Sequence, residues 1–316
     1  MTSLVRRVSP LPVVVLGALV VALVVSLAPS LAARVQDGAD KSVFVSVMAS
    51  GKPVTDLKAE SFAVSEDNVQ RPIKSVKPAS QPVFIELLAD TSKAAGSQGM
   101  GAAGAAGGSN LVQDVRTAFN GFVSAVWDSN PANQIALMEF GQASITMVKF
   151  TSKPDDMAKG ILKLFPKPSA DPVLAEAITQ AASDLGKATT PRRVIVILNI
   201  EPGFEPNPEN AMAVNDAVRK SGASLWAVSL QPNGGITQNK MHEVILGGIA
   251  HNTGGRREII NGQSAIIDNL KAYWGQIANQ YEVVYERPAG TKSATRLSVG
   301  LRGEGVQTYY SQYAPK

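Results

Sequence analysis

The segment Gly99-Met100-Gly101-Ala102-Ala103-Gly104 is a literal G-x-G-x-x-G between an expected strand and an expected helix. In a dinucleotide-binding unit that spacing brings the backbone against a pyrophosphate at a helix N-terminus. Here the first glycine lies nine residues beyond Asp90, where the strand should end, so the tight strand-to-helix turn is missing. The stretch from Lys93 to Ser109 is mostly Gly, Ala and Ser, a composition that generates such patterns by chance and marks a mobile loop tip. No phosphate loop of the form G-x-x-x-x-G-K-S/T and no G-x-S-x-G nucleophile elbow occurs. The two histidines, His242 and His251, are nine apart, which does not put them on one helix face as a metal pair requires, and His242-Glu243 has no histidine three residues on. Both read as surface or packing residues. Trp127, Trp226 and Trp274 are dispersed and suit core packing better than a ligand cage. With no cysteine in the chain, disulfides, thiolate catalysis, cysteine-ligated zinc and iron–sulfur clusters are excluded.

The 316 residues, 45% hydrophobic and 18% charged, are enough for two domains with a sizeable core. Arg6 and Arg7 precede an apolar stretch, Leu11 to Leu27, closed by Pro29 and the small-residue segment Ser30-Leu31-Ala32. This is the layout of a secretory signal over residues 1–32, with cleavage before Ala33 preferred and a retained anchor as the alternative. The chain is therefore expected to be exported: secreted, periplasmic or held at the cell surface. Its contact with membrane would come only through an uncleaved N-terminal segment. Losing Arg6 and Arg7 lowers the formal charge from +4 to +2, and Lys and Arg are scattered among acids, so nucleic acid is not an expected partner.

After a linker, residues 33–40, short strands are expected at Val43–Val47, Phe62–Ser65 and Ile73–Val76, with turns at Ser50–Pro53 and Glu66–Asn68. From Pro82 the pattern alternates strand and amphipathic helix, which implies an α/β sheet. Gln134–Phe140 and Ser144–Phe150 are separated only by Gly141-Gln142-Ala143, too short for a helical crossover, so this pair is expected to be antiparallel. Val194–Leu198 reads as a central strand covered on both faces. Lys240–His251 and Ala265–Gln280 read as helices. The tail returns to strands at Tyr281–Tyr285, Thr295–Leu301 and Val306–Tyr310. The expected architecture is a Rossmann-like, mostly parallel six-stranded sheet with one antiparallel edge strand, residues 81–280. It is inserted into a small β-sandwich-like domain made of 41–80 plus 281–314, since neither of those sets has strands enough for a core.

On these residues the chain resembles von Willebrand factor A-type (VWA) domains, in particular bacterial exported proteins that embed such a domain in a short β domain. The resemblance rests on Val43–Val47 with Gly51-Lys52-Pro53-Val54 and Glu60-Ser61-Phe62, Leu87–Ser92, Ile135–Gly141, Arg192–Leu198, Thr253-Gly254-Gly255-Arg256, Gln280-Tyr281 and Tyr309–Pro315. It implies binding or scaffolding, with no catalytic residues. The family's metal-ion-dependent adhesion site uses Asp-x-Ser-x-Ser, a Thr and an Asp on three loops around a divalent cation. Asp90 and Ser92 match, while Ala94, Pro172 and Ile200 stand where the second serine, the threonine and the aspartate belong. The resemblance thus implies a degenerate site with Asp90, Ser92, Ser169, Asp171, Asn199 and Glu201 on its rim, no metal ligand set and no cofactor. A weak divalent cation stays open if Asp171 and Glu201 swing in. The function implied is an exported, non-enzymatic protein-interaction or adhesion module whose partner is a protein or other envelope macromolecule. The alternatives are a structural subunit of an envelope assembly and a nucleotide-binding enzyme on the same kind of sheet. A dinucleotide domain would place a helix where the 134–150 hairpin lies.

Overall fold

The structure is a computed structural model. It describes residues 39–97, 111–167, 169–201, 203, 211–231, 240–302 and 305–316. The expected signal segment and the Gly99–Gly104 motif lie outside the described residues.

The chain opens with β1 (Ala39–Ala49), which turns at Ser50 (φ 49°) and Gly51 (φ 76°) into the short β2 (Lys52–Pro53). The strand begins two residues before the end of the expected 33–40 linker: Ala39 and Asp40 pair with Arg287 and Glu286. Pairing with a distant strand overrides the polar local composition there. A hairpin of β3 (Phe62–Glu66) and β4 (Val69–Arg71) follows, with Asp67 and Asn68 at φ 46° and 67°, as a tight two-residue turn requires. β5 (Ile73–Pro78) ends this part of the chain.

β6 (Val83–Asp90) starts the large sheet and runs into a short helix, α1 (Lys93–Ser97), so the segment expected to be a mobile tip begins as helix. Then come α2 (Leu111–Ser129), β7 (Gln134–Phe140), β8 (Ser144–Thr151), α3 (Pro154–Leu162) and α4 (Leu174–Leu185). β9 (Arg192–Ile200), α5 (Ala211–Ser221) and β10 (Ser224–Leu230) complete the middle of the sheet. The helix expected at Lys240–His251 is α6 (Lys240–His242), a π turn (Glu243–Ile249) and α7 (Ala250–Asn252). β11 (Arg257–Ile260), α8 (Ala265–Ala278), β12 (Tyr281–Arg287), β13 (Leu297–Leu301) and β14 (Val306–Tyr309) close the chain.

The six-stranded sheet has the order β11-β10-β9-β6-β7-β8. Every neighbour pair is parallel except β7 and β8, which are antiparallel. One face carries α2, α3 and α8; α2 buries Ala118, Phe119, Phe122, Val126 and Trp127 at helical spacing. The other carries α4, α5 and the π turn, with Ile195 and Ile197 of β9 facing them. β9 is covered on both faces because Val194, Val196 and Leu198 enter the first layer.

The two ends of the chain pair with each other. β1 lies between β12 and β14, β5 pairs with β12, and β3 pairs with β13. Val43, Val45, Phe62, Val64, Tyr281, Val283, Leu297 and Val299 share one apolar cluster between the two sheets. Inside it Glu66, fully buried, accepts from Arg287, Tyr285 and Arg71. That residue was expected in a turn and is the last of β3. Arg192 donates to the Gln81 carbonyl at 3.0 Å and the Ile277 carbonyl at 2.5 Å, which ties the start of the large sheet to the end of α8. Gly255 must be glycine on packing grounds, since a Cβ there would sit 1.8 Å from the Leu225 carbonyl oxygen. One carboxyl is stranded between layers: Glu86 on β6 is buried, its Oε2 lacks a hydrogen bond among the described residues, and burial, aided by Asp184, pushes its pKa up to about 8.

Candidate functional site

The strand order reverses between β6 and β9, and the crevice outside the carboxyl ends of strands at such a point is where open α/β sheets bind ligands. Asp90 sits there, as the last residue of β6. Its Oδ1 accepts the Ser92 N–H at 2.9 Å and its Oδ2 the Ile200 N–H at 3.0 Å, so the carboxylate bridges the tips of β6 and β9. Burial pushes its pKa up to about 6, against those two N–H groups and the nearby His242 ring. Ser92 is buried beside it.

The loop after α3 is fastened across this tip. Lys167 N–H donates to the Thr91 carbonyl and Lys93 N–H to the Ala170 carbonyl, both at 2.7 Å. Two ion pairs flank the junction. Lys167 binds Glu139 at the end of β7, and Lys93 binds Asp171. The Lys93–Asp171 pair is half exposed, so it contributes about 0–1 kcal/mol.

The fourth acid, Glu201, is the most heavily engaged. Glu201 Oε1 accepts from Asn199 Nδ2 at 2.9 Å and from Arg257 at 2.9 Å, and lies 2.8 Å from His242 Nδ1. Its Oε2 accepts the Gly203 N–H at 3.2 Å. Burial pushes the Glu201 carboxyl up, but His242, Gly203 and Arg257 outweigh this and hold it below the usual carboxylate range. Arg257 is fixed in turn by Ser229 Oγ at 2.8 Å and by Glu243 at 3.0 Å. His242, read from the sequence as a surface or packing residue, is fully buried at the centre of this network.

Asp90, Ser92, Asn199 and Glu201 thus meet at the β6–β9 crevice. Asp171 lies at its margin on Lys93, and Ser169 is exposed on the fastened loop. Sequence reasoning missed Lys93, Lys167, His242 and Arg257.

No protein-family profile matches the sequence, and no curated protein matches it. Solved structures do share the fold. The PilB minor pilin of Streptococcus sanguinis superposes with a TM-score of 0.50 at 8% identity, over 76% of this chain and 79% of that one. The vWF domain of the type V pili tip protein Mfa5 from Porphyromonas gingivalis gives 0.46 at 10% identity, over 64% and 97%. Proximal thread matrix protein 1 of the mussel byssus gives 0.44 at 13% identity, over 60% of this chain and 46% of that one, so this chain spans about half of that relative's length. The chain has a VWA-type fold: a six-stranded sheet, parallel but for one antiparallel edge pair.

A VWA-type fold implies a divalent cation at the strand tips, and the residues present do not fit one. Ile200 uses its backbone N–H, not an oxygen, toward Asp90, and both Asp90 oxygens already accept hydrogen bonds. Glu139, Glu201 and Asp171 are each neutralised by a protein cation. Thr91 Oγ1, Ser92 Oγ and Asn199 Oδ1 are buried without a hydrogen-bond partner among the described residues, but all three are neutral. Among the described residues no three carboxylate or imidazole groups converge as a cation cage would need. At this rim Lys93, Lys167 and Arg257 pair with Asp171, Glu139 and Glu201, and His242 hydrogen-bonds Glu201.

Proposed function

We propose that the chain is an exported, non-enzymatic protein-interaction or adhesion module that engages a protein or other envelope macromolecule through the carboxyl-end rim of its large sheet, without a metal. In this reading residues 81–280 form a VWA-type domain inserted into a small β-sandwich-like domain of 41–80 and 281–314. The observation that carries it is the closure of the rim acids by Lys93, Lys167, His242 and Arg257. A degenerate adhesion site of this kind holds its loops in one arrangement with internal ion pairs. Partner contact then falls to the side chains left at the surface. Among these are Leu162 and Phe165, which are 61% and 54% exposed at the fastened loop. Arg116 lies 4.4 Å from the centre of the Phe165 ring, presenting an aromatic and a cation together, a pairing favoured at protein interfaces. The shared fold of a minor pilin supports the reading by analogy.

The test is capture of partners from the envelope extract of the source cells, with and without chelator. Capture should survive chelation and fall about tenfold or more for Phe165→Ala combined with Lys93→Glu. Capture abolished by chelator, or indifferent to the double variant, would contradict the proposal.

A further inference from the structure

A second surface, distinct from the rim, lies along the free edge of the large sheet. β8 is the terminal strand and pairs only with β7. Its outer edge has no backbone partner among the described residues between Met147 and Thr151. Beside it a groove of about 620 Å³ runs between this half of β8 and α3. Four exposed lysines line it, Lys149, Lys153, Lys159 and Lys163, against one acid, Asp156. None of the four ammonium groups has a carboxylate partner among the described residues.

Lysine on an edge strand is also a common guard against self-pairing, and the register shifts of β8 serve the same end. That role accounts for Lys149 alone, since the other three lie off the strand. Lys153 precedes α3, and Lys159 and Lys163 are four apart on and just beyond it. Like charges at that spacing destabilise a helix slightly, and an anion seated between them would relieve it. The groove therefore combines an unpaired strand edge, a helical wall and a concentrated positive charge.

We propose that this groove binds an extended acidic peptide segment of a partner protein, which adds a strand to β8 and places its carboxylates on the four lysines. Main-chain pairing supplies the register and the lysines supply selection, as in strand addition generally. The free half of β8, five residues from Met147 to Thr151, spans roughly 17 Å and accepts a segment of similar length. A second copy of the chain is disfavoured as occupant, because pairing β8 with itself would set the lysine-rich edges against each other. The proposal is independent of the rim.

The probe is a fluorescein-labelled seven-residue peptide of alternating glutamate and valine, titrated into the full chain and read by anisotropy. Binding should protect the Met147–Thr151 amides from hydrogen exchange. It should weaken about tenfold for Lys159→Glu with Lys163→Glu, and separately by severalfold for Lys149→Glu alone, which leaves α3 untouched. Methylating alternate peptide amides should also cost about tenfold, since it removes strand pairing and keeps the charge. Absence of binding, equal affinity for the methylated peptide, or tighter binding to anionic vesicles or duplex DNA than to the peptide would overturn the proposal.

Discussion

Replacing Glu66 by alanine is expected to cost about 3–5 kcal/mol, the penalty for leaving buried charges without their counter-ion. Arg287 meets Glu66 through Nε at 3.0 Å and Nη2 at 2.5 Å, Arg71 adds a contact at 3.1 Å, and the Tyr285 hydroxyl adds one at 2.7 Å. Two guanidinium groups would then sit in the apolar cluster between the β sheets with no carboxylate. Burial pushes the Glu66 carboxyl up, but Arg287, Tyr285 and Arg71 outweigh it and hold it below the usual range. Its contribution is therefore present above the ordinary carboxylate pKa and is lost as the pH falls through the lower folded value. Urea melts of Glu66→Ala and the unchanged protein check this; a loss under about 1 kcal/mol would show that the cluster is not a stability centre.

Glu86 should behave in the opposite sense. Its folded pKa of about 8 lies above the ordinary 4.5, so the folded state holds a proton that the unfolded state has released. Stability from this group is complete below about pH 4.5 and is lost as the pH rises toward 8, with a slope of at most about 1.4 kcal/mol per pH unit. Glu86→Gln removes the ionisable proton and keeps the shape. It should be more stable than the unchanged chain by about 4 kcal/mol near pH 8 and nearly equal to it near pH 4.5. Urea midpoints across that range decide it. Parallel pH profiles for the two proteins would place the ionisation elsewhere.

Local pattern carried much of the fold. The three residues between Phe140 and Ser144 forced a hairpin, and it is the antiparallel edge pair of the sheet. The β-branched run in Val194–Leu198 marked a strand that is covered on both faces. Pattern failed where the partner is remote. Glu66-Asp67-Asn68 reads as a turn, and nothing nearby shows that Glu66 would meet Arg287 at a separation of 221 residues. The same holds at the rim. Asp90, Ser92, Asn199 and Glu201 were singled out through the resemblance to VWA domains, but their partners arrive by crossovers. His242 and Arg257 lie 41 and 56 residues from Glu201, and no motif links those spacings.

On the proposed reading, protein cations take the place of a metal at the strand tips. Calorimetric titration of magnesium, manganese and calcium into the chain tests it most directly. The account predicts no saturable binding tighter than about millimolar, with Asp90→Ala indistinguishable from the unchanged protein. Saturable binding tighter than that, abolished by Asp90→Ala, would contradict it.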